Sequence, residues 1–159
     1  MNKIYLLLGS NMGNSRRQLS TATRHIKKEI GEVTRFSSLY VTAAWGNTAQ
    51  PDFLNQVIVV ETKINATTTI KRILSVEEKM GRVRTIKNAP RIIDIDILFF
   101  NHDIISLPNL TVPHPEIPNR RFVLIPMNEL SPLMKHPVLN KSVHQLLISC
   151  KDPLDVKKF

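Results

Sequence analysis

The sequence is poor in cysteine and has no long apolar segment. Cys150 is its single cysteine, so no internal disulfide can form, and we expect a protein of the reducing cytoplasm. No apolar run reaches the ~20 residues that a membrane span needs, so we expect no membrane association. The run at residues 4–8 is too short for a signal peptide and predicts a first strand instead. The histidines show no metal-ligand spacing among themselves.

Positive charge is what the sequence has in excess. Lys and Arg number 22 against 13 Asp and Glu, which gives a formal net charge of +9. Such a balance indicates an anionic partner, either nucleic acid or a polyanionic small molecule. The 159 residues contain no repeat or linker, so we expect one domain over residues 1–159, acting as a monomer.

The hydrophobic pattern predicts the element order β-α-β-β-α-β. Strands are predicted at 3–8, 33–41, 53–62 and 92–100. One helix is predicted at 15–30, and a second is predicted to be capped by Asn65 or Thr67 and to run to Met80. This order is typical of an α+β, ferredoxin-like fold: an antiparallel four-stranded sheet with two helices on one face. A proline-rich C-terminal extension follows, with short helices predicted at 120–130 and 141–150. Residues 156–159 are expected to be solvated.

Two carboxylates interrupt the last strand of this unit. Asp94 and Asp96 are two residues apart, so their side chains share one strand face. Burying two negative charges together is costly unless a cation meets them. Mg²⁺ takes oxygen ligands and typically uses one or two carboxylates plus substrate phosphates. The pattern alone also fits an Asp pair that is solvated or salt-bridged to Arg91.

Basic and acidic residues before this strand suit a polyphosphate. Arg82 and Arg84 would point to one side of an extended loop, as phosphate ligands, as RNA-backbone ligands or as solvated cations. Glu77 falls near the apolar stripe of its helix; it could contact a nucleotide, lean into solvent or pair with an arginine. His114 stands between two prolines and could donate to a phosphate or lie in an ordinary surface loop.

A possible place for a flat ring lies earlier in the chain. Phe53 and Asn55 share one strand face, so the ring could stack on a heterocycle while the amide hydrogen-bonds to its edge. A core Phe and an edge Asn would give the same pattern. Trp45 lies in a polar loop, where it could form part of a lid or simply be a partly buried side chain.

Taken together, these motifs resemble the 6-hydroxymethyl-7,8-dihydropterin pyrophosphokinase family over most of the chain. The order of the motifs makes coincidence improbable. They are Gly9-Ser10-Asn11, Pro51-Asp52-Phe53-Leu54-Asn55, Glu77 with Gly81-Arg82-Val83-Arg84, Pro90-Arg91-Ile92-Ile93-Asp94-Ile95-Asp96-Ile97-Leu98, Val112-Pro113-His114 and Asn119-Arg120-Arg121-Phe122.

The resemblance implies transfer of pyrophosphate from ATP to the pterin hydroxymethyl group, with release of AMP. It implies two Mg²⁺ ions on Asp94 and Asp96, with Arg82 and Arg91 completing the catalytic set. The implied ATP contacts are Glu77, Arg82, Arg84, Arg91, Thr111, His114 and Arg120. The implied pterin contacts are Thr42, Ala43, Trp45, Phe53, Asn55 and Phe122. No nucleic acid and no membrane are expected as partners.

Two other functions fit parts of the pattern. A basic ferredoxin-like domain could bind RNA, but aromatic residues make up only 6% of the chain and RNA gives no reason for two buried aspartates. A Mg²⁺-dependent phosphoryl transferase with another acceptor would keep the Asp pair and leave Phe53, Asn55 and Phe122 without a role. The chain also departs from the family: residues 85–89 lack the usual Trp.

Overall fold

Six strands form one antiparallel sheet in the computed structural model, which describes residues 1–44, 49–83 and 89–159. The strands are β1 (Asn2–Ser10), β2 (Glu32–Phe36), β3 (Tyr40–Thr42), β4 (Phe53–Thr62), β5 (Asp94–Phe100) and β8 (Val156–Lys158). They lie in the order β5-β1-β4-β3-β8, and β2 also pairs with β4. β6 (Ile105–Leu107) and β7 (Leu110–Val112) form a separate hairpin. With β1 and β4 in its centre, the large sheet has the predicted ferredoxin-like arrangement.

The central strands are apolar on both faces because both faces of the sheet are covered. Ile4 and Leu6 of β1 lie in one buried cluster, on the first face. Tyr5 and Leu7 lie in another, on the second face. Side chains alternate across a strand, so a strand buried on both faces has an almost continuous apolar sequence.

Two helices cover the first face, as predicted. α1 (Ser15–Glu29) and α2 (Ala66–Lys79) each begin after an asparagine whose side chain accepts from a backbone N–H of the first turn. The hydrophobic pattern predicts that Ile70, Ile73, Leu74 and Met80 of α2 face inward, and the observed stripe differs from this. Leu74 is 39% exposed, whereas Val76 and Glu77 are buried. After Ile73 the stripe therefore continues at the positions three and four residues later.

The second face is shared between two further helices and a cavity. α3 (Arg121–Leu130) and α4 (Val143–Ser149) confirm the helices predicted in the C-terminal extension, and a short 3₁₀ helix (Ile117–Asn119) precedes α3. The second apolar cluster joins these helices to β1, β4 and β5. None of the helices in the described ranges is both long and apolar enough to span a bilayer.

Two predicted strands differ from the observed ones, and one further strand was not predicted. The strand predicted at 33–41 is divided into β2 and β3, because at Ser37 the side-chain hydroxyl, in place of the backbone carbonyl, accepts from Val57 N. The strand predicted from residue 92 begins at Asp94, because Arg91 pairs through its backbone with Asn11. Residues 157–159 are exposed, as expected, but residues 156–158 also pair with β3 as β8 at the sheet edge, which the sequence did not indicate.

Candidate active site

A cavity of about 320 Å³ opens on the second face of the sheet. Predicted site residues of two kinds line it. The first kind, here called the charged group, comprises Arg82, Arg91, Asp94, Asp96, His114 and Arg120. The second kind, here called the aromatic group, comprises Thr42, Ala43, Phe53, Asn55 and Phe122. One cavity thus joins segments that are distant in the sequence.

Two of the predicted site residues that the structure describes do not line the cavity. Glu77 lies behind Arg82, and its side chain is 2% exposed. Thr111 is an exposed residue of β7. Trp45 and Arg84 fall outside the described residues.

Asp94 is held by two arginines. Arg82 Nη1 lies 2.5 Å from Asp94 Oδ1, and Arg91 Nη1 lies 3.1 Å from Asp94 Oδ2. Both carboxylate oxygens therefore accept from a guanidinium, which fixes the side chain at the start of β5. The salt-bridged arrangement that the sequence left open is thus present for Asp94.

Asp96 lies in a different electrostatic environment. Burial, together with the negative charges of Asp94 and Glu77, raises the pKa of Asp96 to about 7, and Arg120 and Arg82 offset only part of this. The negative charge of Asp96 is thus poorly compensated in a cavity wall, where an added cation would be favourable. Two carboxylates on one strand face are suitable oxygen ligands for Mg²⁺ when phosphate oxygens complete its coordination. No cluster of three or more His, Cys, Asp or Glu side chains suited to a metal occurs in residues 1–44, 49–83 and 89–159.

Glu77 holds two parts of the charged group in place by hydrogen bonds. Its Oε2 accepts from Arg82 Nη1 at 2.9 Å and from the backbone N–H of Ile95 at 2.8 Å. The accepted N–H lies between the two aspartates, so Glu77 fixes the strand that carries them as well as one arginine. Burial lowers the pKa of Arg82, but the carboxylates of Asp94 and Glu77 outweigh it and raise that pKa above its ordinary value. Pairing with an arginine is therefore the alternative that the structure supports for Glu77.

The backbone of Arg91 is held by Asn11, a residue to which the sequence assigned no role of its own. Asn11 Oδ1 accepts from Arg91 N at 2.8 Å, and Asn11 N donates to Arg91 O at 3.0 Å. The Asn11 amide also donates to Gln50 Oε1 and to Pro51 O. The side chain of Asn11 thus joins the end of β1 to both walls of the cavity. The Gly9-Ser10-Asn11 motif was the available signal.

His114 offers a hydrogen-bond donor to the cavity. The ring Nδ1 of His114 accepts from the backbone N–H of Glu116 at 3.1 Å. The backbone N–H of His114 donates to Leu98 O at 3.0 Å. Burial and the nearby Arg120 lower the pKa of His114. A neutral ring with Nδ1 as acceptor carries its proton on Nε2, where it can be donated.

The aromatic group contains an amide without a partner. Asn55 is 3% exposed, and its Nδ2 has no hydrogen-bond partner among the described residues. A Cβ on Gly9, which is opposite Asn55 in the ladder, would lie 2.8 Å from Asn55 Oδ1. Glycine thus leaves room for this amide. A buried donor without a partner in a cavity wall is suited to a ligand with acceptor atoms.

Rings flank this amide in the cavity wall. Phe53 begins β4, and the Arg91 guanidinium lies 5.9 Å from the centre of its ring. Phe122 lies in the first turn of α3, with Arg120 at 5.7 Å from its ring centre. Aromatic faces beside an unpaired amide suit a flat, polar heterocycle.

Sequence comparison indicates the family. Residues 5–132 match the family described as 7,8-dihydro-6-hydroxymethylpterin-pyrophosphokinase (HPPK). The chain is 35% identical over 147 residues to the 2-amino-4-hydroxy-6-hydroxymethyldihydropteridine pyrophosphokinase of Aquifex aeolicus. The aligned region covers 91% of this chain and 90% of that protein. It is 37% identical over 148 residues to the folic acid synthesis protein fol1 of Schizosaccharomyces pombe, covering 92% of this chain but only 20% of the relative. The chain thus spans about a fifth of the length of fol1.

Structure comparison supports the same fold. The wild-type Plasmodium falciparum HPPK-DHPS, crystallised with pteroate, superposes with a TM-score of 0.76 at 20% identity, covering 93% of this chain and 42% of that one. At this identity the likeness concerns the fold. The family match and the Aquifex aeolicus relative, each extending over most of the chain, carry the assignment. The chain therefore belongs to the 7,8-dihydro-6-hydroxymethylpterin-pyrophosphokinase family.

Proposed function

We propose that this protein transfers the pyrophosphoryl group of ATP to the hydroxymethyl oxygen of 6-hydroxymethyl-7,8-dihydropterin and releases AMP, a step of folate biosynthesis. The observation that carries the proposal is the single cavity that joins an Asp pair and arginines to a buried amide beside two phenyl rings. The first set of groups suits a polyphosphate and its metal, and the second suits a pterin. Family membership supports the same activity.

The charged group would bind the phosphates of ATP. Arg82 and Arg91 present guanidinium groups that match phosphate oxygens in geometry and charge. Arg120 adds a positive charge, and His114 adds a neutral donor on Nε2. Glu77 would act through Arg82, which it already holds at 2.9 Å. Arg84 and Thr111 stay in the proposal as nucleotide contacts on the strength of the family resemblance.

Asp94 and Asp96 would hold two Mg²⁺ ions. When bound, the ions would supply positive charge beside the phosphate oxygens and align the polyphosphate. The donor set fits, because both carboxylates line the cavity and the charge of Asp96 is poorly compensated. Asp94 would exchange part of its arginine contacts for a metal contact, which frees those arginines for phosphate.

The reaction requires an in-line attack on the β-phosphorus. A bond forms from the hydroxymethyl oxygen to that phosphorus, the bond from the phosphorus to the α–β bridging oxygen breaks, and AMP leaves. The hydroxyl proton passes to solvent, and we assign no side chain as a general base. Asn55, Phe53 and Phe122 would orient the pterin, while Arg82 and Arg91 stabilise the charge on the transferred group.

The remaining proposals concern the state of the protein. We propose that residues 1–159 act as one domain and as a monomer. The single domain is supported by the large sheet, which includes strands from both ends of the sequence, β1 and β8. We also propose that the protein works in the cytoplasm, in keeping with its free Cys150, without nucleic acid or membrane as partner.

Product analysis tests the proposed function. The protein is incubated with Mg²⁺ and ATP, with and without 6-hydroxymethyl-7,8-dihydropterin, and the nucleotides are separated. AMP that appears only with the pterin, in equal amount to a pterin diphosphate, is expected. ADP in place of AMP would indicate a kinase. Absence of turnover together with salt-sensitive RNA binding would support the RNA-binding alternative.

A further inference from the structure

The C-terminal residues 151–159 are bound to two elements that line the cavity. They lie beyond the part of the chain that matches the family, residues 5–132. Sequence reasoning treated their end as solvated, because a short stretch rich in lysine has no apolar pattern. The contacts of this segment, here called the strap, give it a role in the site.

The first contact is made by Asp152 at the start of α3. Asp152 is 8% exposed, and its Oδ2 accepts from the backbone N–H of Arg121 at 3.0 Å. Its Oδ1 accepts from Leu154 N at 3.0 Å, which turns the strap back on itself. The N-cap residue of α3, Arg120, makes no side-chain cap hydrogen bond. A carboxylate from 31 residues away therefore takes the capping position, where negative charge stabilises a helix.

The second contact is made along β3. β8 pairs antiparallel with β3, so that Val156 lies opposite Thr42 and Lys158 opposite Tyr40. Thr42 Oγ1 donates to Asp155 O at 3.3 Å, and Phe159 N donates to Leu39 O at 2.9 Å. The strap thus gives β3 a second neighbour besides β4.

The two elements joined by the strap, β3 and α3, both carry or adjoin residues of the aromatic group. β3 leads into Thr42 and Ala43, and the first turn of α3 carries Phe122. The other end of α3 is joined to β3 by Glu129, which accepts from Tyr40 at 2.6 Å. Glu129 lies seven residues after Phe122, about two helical turns away. The strap therefore joins α3 to β3 at the end of the helix that lines the cavity.

We propose that the strap is a positioning element for the pterin, and that Asp152 is its positioning residue: it sets Phe122 on α3 relative to Thr42 and Ala43 on β3. This inference rests on the proposed function for the identity of the ligand. Of the charged group, Arg82, Arg91 and Asp94 are held instead by contacts with Glu77, with Asn11 and with one another. Only Arg120 lies at the end of α3 that Asp152 holds. Loss of the strap contact should therefore weaken pterin binding more than ATP binding.

The test compares Asp152→Ala with Asp155→Ala. Asp155 is a matched control, because it is the same residue type in the same segment and its side chain, 74% exposed, pairs only with Lys157 among the described residues. Asp152→Ala should raise KM for the pterin about tenfold, and KM for ATP less than about threefold, because small displacements of binding groups have large effects. Asp155→Ala should leave both constants unchanged. Asp152→Asn keeps one acceptor oxygen, so it should give an intermediate value and provides a readout if the alanine variant does not fold.

Hydrogen exchange separates the strap from the proposed function. In Asp152→Ala, amides of segments 39–44 and 121–126 should exchange faster than in wild type, and in Asp155→Ala they should not. This readout needs no turnover, so it still tests the strap if the wild-type protein makes no AMP. Wild-type exchange in both segments, or equal rises in KM for pterin and ATP, would overturn the proposal.

Discussion

The charged group and the aromatic group of the cavity are held in place in different ways. Glu77, Arg82, Arg91 and Asp94 lie within 18 residues of sequence, and side-chain hydrogen bonds connect them. The aromatic group comes from β3, β4 and α3, and backbone pairing and helix position bring it together. The contacts among Glu77, Arg82, Arg91 and Asp94 thus form a network of charges that are close in sequence, whereas the aromatic group depends on tertiary structure. The two groups should therefore respond differently to substitution.

The largest effect is expected at the charged group. Asp96→Asn removes one proposed metal ligand while keeping the shape of the side chain, and should lower kcat by about a thousandfold, because electrostatic stabilisation supplies several kcal/mol to phosphoryl transfer. The fold should persist. Because burial raises the pKa of Asp96 to about 7, the ionised carboxylate opposes folding at neutral pH, and the amide removes that cost. Steady-state kinetics with a thermal melt of the metal-free protein measures both.

Activity near the wild-type value in Asp96→Asn would contradict the assignment of the metal ligands. A collapse of the melting temperature would contradict the electrostatic account of this site. Asp103→Asn is a suitable control, since Asp103 is an exposed aspartate outside the cavity.

A smaller and different effect is expected at the aromatic group. Asn55→Ala removes the amide proposed to bind the pterin edge, and should raise KM for the pterin about 10- to 100-fold, because a lost hydrogen bond leaves a ligand acceptor unpaired. KM for ATP should change little. Initial rates with each substrate varied in turn give the split, and equal changes in both constants would mean that the two groups do not act separately.

Two glycines allow a matched comparison between site and fold. A Cβ on Gly9 would meet the Asn55 amide at 2.8 Å, whereas a Cβ on Gly31 would lie 2.1 Å from the backbone oxygen of Glu61. Gly9→Ala should therefore raise KM for the pterin several-fold with little loss of stability. Gly31→Ala should destabilise the fold by about 1–3 kcal/mol, since the backbone must shift. Urea unfolding and kinetics on both variants check the contrast, and a reversed pattern would refute it.

The part of the charged group that lies on β5 could be predicted because its determinants are local. The spacing of Asp94 and Asp96 suffices to place both on one strand face. The orientation of Glu77 could not be predicted from spacing. Its carboxylate can be buried only because Arg82 and the backbone N–H of Ile95 donate to it, and these partners come from elsewhere in the fold. Leu74 was expected inside, yet the helix is rotated so that Val76 lies there instead.

The supports of the aromatic group were harder to predict. The aromatic residues themselves came from motifs, but Asp152 is a lone aspartate in a stretch without periodicity. Its role depends on meeting Arg121 N, 31 residues earlier. Long-range capping of this kind has no signature in the sequence. The same applies to β8, whose partner β3 lies more than a hundred residues earlier.

The smallest effect is expected outside both groups. Burial lowers the pKa of His136, whose Nδ1 accepts from the backbone N–H groups of Val138 and Leu139. The folded state thus binds fewer protons than the unfolded state below the ordinary histidine pKa of about 6.5. Stability that is present above that pH should fall as the pH drops through and below it. Urea unfolding from pH 7.5 to 5 should show a smaller decline in His136→Asn than in wild type, and identical slopes would count against this site.

The fate of individual phosphorus atoms tests the central claim most directly. ATP labelled separately at the β and γ positions is incubated with Mg²⁺, the pterin and the wild-type protein. If the charged group delivers a pyrophosphoryl unit to a pterin held by the aromatic group, both labels should move together into the pterin product, and AMP should retain neither. Transfer of the γ label alone, with the β label left in ADP, would contradict the account.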